Sequence, residues 1–280
     1  MKLCFNEATT IGNSTLEQDL ILCERYGYDL IEIRLDKLRE YLQAHSLADL
    51  KAFFAGSRLK PYAFNALEGI NFRTPQEWEE LLSGLDLFCE VGKEIGCSKV
   101  VVVPTNDVGH KTVGEIKASS LEAIRAIDER ARKNGWPMEL AFEFVGYPNL
   151  CVNTFGQAYD IVEAAAMEHV GIVLDCFHFY AMNSRWEDLQ RLDIRKLFIF
   201  HIDDSEDLPV GALRDEHRLW PGDGAIDLNR IFALLKEKGY GEMASVELFR
   251  PEYYDMPAGD TIRIAKEKSV KALSGHWHIG

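Results

Sequence analysis

One alternation runs the length of this 280-residue chain: a short β-branched or aromatic run, then a longer stretch of helical period. The strand-like runs are Lys2–Asn6, Asp29–Arg34, Pro61–Asn65, Lys99–Val103, Glu139–Phe144, Val170–Asp175, Lys196–Ile202 and Ala244–Phe249. Each is followed by an amphipathic segment: Thr15–Tyr26, Ser46–Ala55, Pro75–Ile95, Val113–Asn134, Thr154–Met167, Arg185–Leu192, Leu228–Lys238 and Asp260–Ala272. Helix starts are marked by Pro75 at a first helical position and by Ser14 and Asn153 as N-caps; Gly27, Gly96, Gly135 and Gly239 mark helix ends.

Strands that alternate with helices pair in parallel, because a parallel neighbour is reached only by a crossover of a dozen or more residues. Two closures use these elements. An open doubly wound sheet carries a Gly-rich turn after its first strand, but here that turn reads Asn6-Glu7-Ala8-Thr9-Thr10. The chain is therefore predicted to form an α/β structure of the closed kind, a (β/α)8 TIM barrel. Such barrels reach roughly 250 residues undivided, so residues 1–280 are expected to be a single domain.

Hydrophobic residues make up 47% of the chain and charged residues 27%, enough to build a large core. The run Val100–Val103 is far short of the ~20 apolar residues that span a bilayer, so no membrane partner is expected. Met1-Lys2-Leu3-Cys4-Phe5 enters a strand directly and lacks signal-peptide architecture. Six cysteines without CxxC spacing are expected to be buried, reduced thiols of a cytoplasmic protein. A net charge of −14 repels a phosphate backbone, so the expected partner is a small molecule and no nucleic acid.

Barrel active sites lie where strands end at the C-terminal rim. Asp175 ends the sixth run, with His178 three residues on, and Glu143, His201 and Glu247 stand within two residues of the ends of the fifth, seventh and eighth. Four successive strands thus each present one metal-ligand residue amid apolar neighbours, where an ionised carboxylate is costly unless compensated. Each residue alone has an ordinary explanation, a salt bridge for a glutamate or a hydrogen-bonded core position for His201. Their recurrence on four neighbouring strands points to one divalent ion held by three carboxylates and an imidazole. This mixed donor set suits Zn, Mn, Co or Mg and offers nothing to thiolate-seeking metals.

These residues resemble the xylose-isomerase-like barrel superfamily, which includes ketose 3-epimerases, inosose isomerases and dehydratases, and abasic-site endonucleases. Longer strings narrow the likeness to the inosose isomerases, the 2-keto-myo-inositol isomerases of inositol catabolism. They are Lys2–Thr9, Tyr28–Arg34, Glu143–Gly146, Val152–Phe155, His201–Asp204, Trp220–Gly222 and Ser245–Tyr254. The resemblance implies that Glu143, Asp175, His201 and Glu247 hold the metal, with Glu143 and Glu247 also the acid/base pair. It implies substrate contacts from His178 and Arg250, with Glu32 and Arg218 as weaker members. Trp220 and Phe249 are candidate walls of the pocket. For Arg250 the competing reading is a salt bridge to Glu252 or another surface acid.

The expected reaction shifts the carbonyl of a cyclic polyol ketone through an enediolate, by proton transfer at a metal-polarised ketone. A ketose 3-epimerase and an inosose or dehydroshikimate dehydratase begin with the same proton abstraction and remain rivals, as does a non-catalytic sugar-binding barrel. The endonucleases carry further ligands, including histidines after strands 3 and 4. This chain has Asn65-Ala66-Leu67 and Pro104-Thr105-Asn106 there, although Asp215, His217 and His178 leave a second metal open. Monomer and homodimer are equally open. The tail Gly275–Gly280 falls outside the barrel pattern.

Overall fold

The computed structural model describes residues 1–279. Eight parallel strands close into a barrel in the order β1-β10-β7-β6-β5-β4-β3-β2. They are β1 (Lys2–Asn6), β2 (Leu30–Arg34), β3 (Lys60–Glu68), β4 (Lys99–Val103), β5 (Glu139–Phe142), β6 (Val170–Asp175), β7 (Leu197–Ile202) and β10 (Met243–Val246). The predicted closed barrel is the observed one. Between β7 and β10, the long loop folds back as a two-stranded antiparallel ribbon, β8 (Asp204–Ser205) with β9 (Arg218–Leu219).

Side chains alternate along each strand, so every strand feeds two cores. On β1, Leu3 and Phe5 pack outward against the helices, while Cys4 points into the barrel with Ala63, Ala141, Val173 and Ile199. The inward layer is built from small and β-branched side chains, which leaves room for polar groups above it. All six cysteines are free, and five are buried. Among the described residues, no helix is long and apolar enough to cross a membrane.

The differences from expectation sit at element ends. The helix Leu16–Tyr26 is capped by Thr15, which accepts from Gln18 N, and not by Ser14. The helix Phe155–Ala165 begins after Thr154, while the backbone N–H of Asn153 donates to Gln157 Oε1. An additional helix, Leu35–Ala44, occupies the stretch before Leu47–Gly56 and buries Leu38 and Tyr41. A short helix, Cys176–Ala181, follows β6 directly. β3 runs three residues past its expected end, and β5 and β10 stop earlier than expected. The tail packs back on the barrel, with Trp277 Nε1 donating to Tyr240 O at 2.8 Å. Gly280 lies outside the described residues.

Candidate metal centre

Strand register assembles the site. Asp175 pairs with His201 across β6 and β7, and Ser245 pairs with His201 across β10 and β7. Phe5 pairs with Val246, which brings Asn6 and Glu247 to the same level at the seam. Glu143 stands one residue past β5, its N–H still donating to Val102 O at 3.0 Å. The ligand atoms of Glu143, Asp175, His201 and Glu247 all lie within 4.8 Å of one another, and all four residues are buried. This is the expected quartet, and it is the only such group among the described residues.

The imidazole of His201 is the hub. Its Nδ1 lies 3.1 Å from Glu143 Oε1, 3.1 Å from Glu247 Oε2 and 3.8 Å from Asp175 Oδ2. On the other side, Nε2 meets Glu32 Oε1 at 3.1 Å. Burial opposes a charge on this ring, but Glu247, Glu32 and Glu143 overcome it and hold its pKa well above the ordinary imidazole value. Burial pushes Glu143 up to about 8, even against nearby His201. Buried anions crowd around a single ring, so a cation fits the charge as well as the geometry.

The remaining carboxylate oxygens are unequal. Glu247 Oε1 accepts from Asn6 Nδ2 at 2.8 Å, with Asn65 Nδ2 3.5 Å away. Asp175 Oδ1 accepts from the N–H of His178 at 2.7 Å, capping the short helix, and Oδ2 accepts from Arg218 Nη1 at 2.8 Å. Burial works against the Asp175 charge, yet the Arg218 guanidinium and the His178 and His201 rings hold its pKa well below the carboxylate range. Glu143 lines the cavity, and among the described residues no protein group donates to its Oε2.

Above the quartet lies a cavity of about 550 Å³. Its walls include Arg34, Glu68, Arg73, Tyr147, His178 and Phe249, with Glu143 and Glu247 at its floor. His178 and Phe249 therefore stand where they were expected. The other four expected substrate contacts do not line this cavity. Glu32 is fully buried behind His201 and orients its ring. Arg218, also fully buried, donates to Asp175, to Asp215 at 2.9 Å and to Asp203. Arg250 takes its competing reading, pairing with Glu206 at 2.8 Å and with Glu252 at 3.2 Å. Trp220 stacks on Tyr253, ring centroids 4.0 Å apart. The second-metal set is not gathered: His217 Nδ1 accepts from Arg214 N, and Asp215 pairs with Arg218.

Asn6, Arg34, Asn65, Tyr147 and Asp203 were not singled out for the site from sequence. Asn6 and Arg34 do end strands, which is the signal that found the ligands. A search for carboxylates and imidazoles passes over an amide and a guanidinium.

Fold and site together define a divalent-metal barrel enzyme. Residues 20–271 match the family model described as xylose isomerase-like TIM barrel. The chain is 48% identical to an inosose isomerase of Halalkalibacterium halodurans over 280 residues, covering 100% of this chain and 99% of that protein. It is likewise 48% identical over 280 residues to an inosose isomerase of Bacillus subtilis, covering 100% of both. The crystal structure of the IolI protein with a bound zinc atom superposes with a TM-score of 0.95 at 47% identity, covering 99% of each chain. The chain belongs to the xylose isomerase-like TIM barrel family, and within it to the inosose isomerases.

Proposed function

We propose that this chain isomerises an inosose, moving its ketone to a neighbouring ring carbon by proton transfer. The observation that carries this reading is the quartet at the floor of a cavity sized for one small polyol, in a chain 48% identical along its length to inosose isomerases. Glu143, Asp175, His201 and Glu247 would hold one divalent ion. Zinc is the first to test because the related IolI structure carries it, with Mn, Co and Mg next. Bound there, such an ion polarises a ketone oxygen and stabilises the negative charge that develops on it.

The two glutamates divide the work. Glu247 has one oxygen toward His201 and the other capped by Asn6, so it serves as a fixed anionic ligand. Glu143 keeps an oxygen free at the cavity and is the proton-transfer group. It takes the C–H proton beside the ketone, leaving the electron pair in the enediolate double bond. Its carboxyl, open to the cavity and free to exchange with solvent, then delivers a proton to the former carbonyl carbon while the hydroxyl proton passes between the two oxygens, so the formula is unchanged. His178 presents a ring nitrogen to the substrate hydroxyls.

The test is incubation of the metal-loaded enzyme with 2-keto-myo-inositol, followed by NMR. The expected product is an isomeric inosose, and Glu143→Gln abolishes its formation. Loss of water, or inversion at carbon with the ketone unmoved, would transfer the reading to a dehydratase or an epimerase.

A further inference from the structure

Two buried side-chain atoms on the cavity wall have no protein partner at hydrogen-bonding geometry among the described residues: Tyr147 Oη, which faces the Asp215 carboxylate, and His178 Nδ1. Tyr147 comes from the loop after β5 and His178 from the short helix Cys176–Ala181 after β6, yet they stand together. The rings are perpendicular, with centroids 5.6 Å apart. Gly146 permits this closeness, since a Cβ there would lie 2.6 Å from the carbonyl oxygen of His178 and 2.9 Å from its Cα.

Both groups are held in place. Tyr147 N donates to Val145 O at 2.7 Å, and Tyr147 O accepts from Leu150 N at 3.1 Å and Asn153 Nδ2 at 3.0 Å. The Arg214 guanidinium lies 5.5 Å from the centre of the Tyr147 ring. On the histidine, Arg218 Nη2 stands 3.0 Å from Nε2. A guanidinium only donates, so Nε2 is the acceptor and the ring hydrogen sits on Nδ1. A buried donor without an acceptor is a costly arrangement, and a pair of them in one cavity marks where ligand oxygens go.

A polyol ring makes such a contact consequential. Nearly every carbon of an inosose bears a hydroxyl, so groups that read only the ketone and its neighbour do not distinguish the two directions around the ring. Contacts to hydroxyls farther round break that degeneracy. We propose that Tyr147 is a substrate-binding residue whose hydroxyl acts with His178 Nδ1–H on substrate hydroxyls remote from the ketone, selecting which carbon beside the ketone faces Glu143. This rests on the inosose reading above.

The experiment compares the metal-loaded parent with Tyr147→Phe on 2-keto-myo-inositol in D2O, with metal content and melting temperature measured on both. The expected result is a kcat/KM about tenfold lower in the variant, the size of one lost neutral hydrogen bond. Deuterium enters predominantly one of the two carbons beside the ketone in the parent and spreads to both in the variant. Mono-deoxy inososes give a second readout, taken first on the parent alone and then on the variant. The parent discriminates against the analogue lacking the hydroxyl that Tyr147 contacts, and on that analogue parent and variant become equal. Unchanged kcat/KM and unchanged deuterium placement, in a parent that isomerises the substrate, overturn the Tyr147 assignment alone. A metal-loaded parent that leaves the inosose untouched overturns the functional reading and this proposal with it.

Discussion

Asn6 Nδ2 donates to Glu247 Oε1 at 2.8 Å, joining the end of the first barrel strand to the residue just past the last. The bond crosses the seam where the barrel closes, and it orients one of the four residues proposed to hold the metal. Asn6 Oδ1 meanwhile accepts from Ala8 N, capping the turn that leads away from β1. One side chain thus fixes both the loop and the ligand.

The two roles are separable. Asn6→Ser retains an oxygen able to cap the turn but is too short to reach Glu247. Removing an outer partner of a metal ligand typically costs ten- to a hundredfold in metal affinity. The variant is expected to fall in that range in competition titrations against a chelator, and its metal-loaded form melts at a correspondingly lower temperature. Parent-like affinity would show that Asn65 alone suffices to hold Glu247.

Protons and metal compete for the centre. In the metal-free protein, burial raises Glu143 to about 8, and His201 stays well above its ordinary value because the surrounding carboxylates outweigh burial. Both folded-state values are raised, so both groups stabilise the fold at low pH, and that stability is lost as pH climbs from the unfolded values toward and beyond 8. The depressed Asp175 acts only in acid, outside this window. The metal-free protein is therefore expected to melt at progressively lower temperature between pH 6 and 8.5. Each proton involved contributes a slope of about 1.4 kcal/mol per pH unit. Metal binding displaces these protons, so affinity tightens about tenfold per pH unit for each one released. Calorimetry in buffers of different ionisation enthalpy counts them, and a flat melting profile with no proton release would refute the argument.

The barrel and its metal quartet were legible because each depends on a repeated signal. Strand-helix alternation recurs eight times, and strand ends share one rim, so Glu143, Asp175, His201 and Glu247 could be found without coordinates. What surrounds them was not legible. Glu32 and Arg218 are residue types that contact polyols, and residue type does not reveal which way they face. Register places Glu32 inside the barrel behind His201, and the β8–β9 ribbon carries Arg218 beneath Asp175. Arg250 was the one case where charge alone supplied the right answer, since acids two residues away and across the loop capture it. The helix Leu35–Ala44 was visible as Leu35, Leu38 and Leu42, but its position directly after a strand left no loop to announce it.

Glu32 provides a direct contrast between contacting substrate and orienting a ligand. Glu32→Gln keeps an oxygen able to accept from His201 Nε2 but removes the charge. Metal affinity is expected to fall about tenfold, while KM for the inosose at saturating metal stays at the parent value. Glu32→Ala, which removes the acceptor as well, falls further in affinity. A raised KM in Glu32→Gln with unchanged metal binding would return Glu32 to the substrate side.

Arg218 carries the largest structural consequence. Its guanidinium is fully buried and serves Asp175, Asp203 and Asp215, while its planar face lies 4.7 Å from the centre of the Phe177 ring. Burial and the Asp175 charge push Asp203 well above the carboxylate range, against the pull of the Arg218 guanidinium. Arg218→Met fills much of the same volume but strands these acids, and breaking a buried ion pair from one side costs about 3–5 kcal/mol. Urea unfolding of the metal-free variant is expected to show a loss of that order. Adding Asp203→Asn removes one of the stranded charges and recovers part of the loss, a recovery that a simple packing defect at the substituted position would not produce. A loss below about 1 kcal/mol for Arg218→Met would mean that the acids take up protons at little cost, and that the arginine is dispensable to the fold.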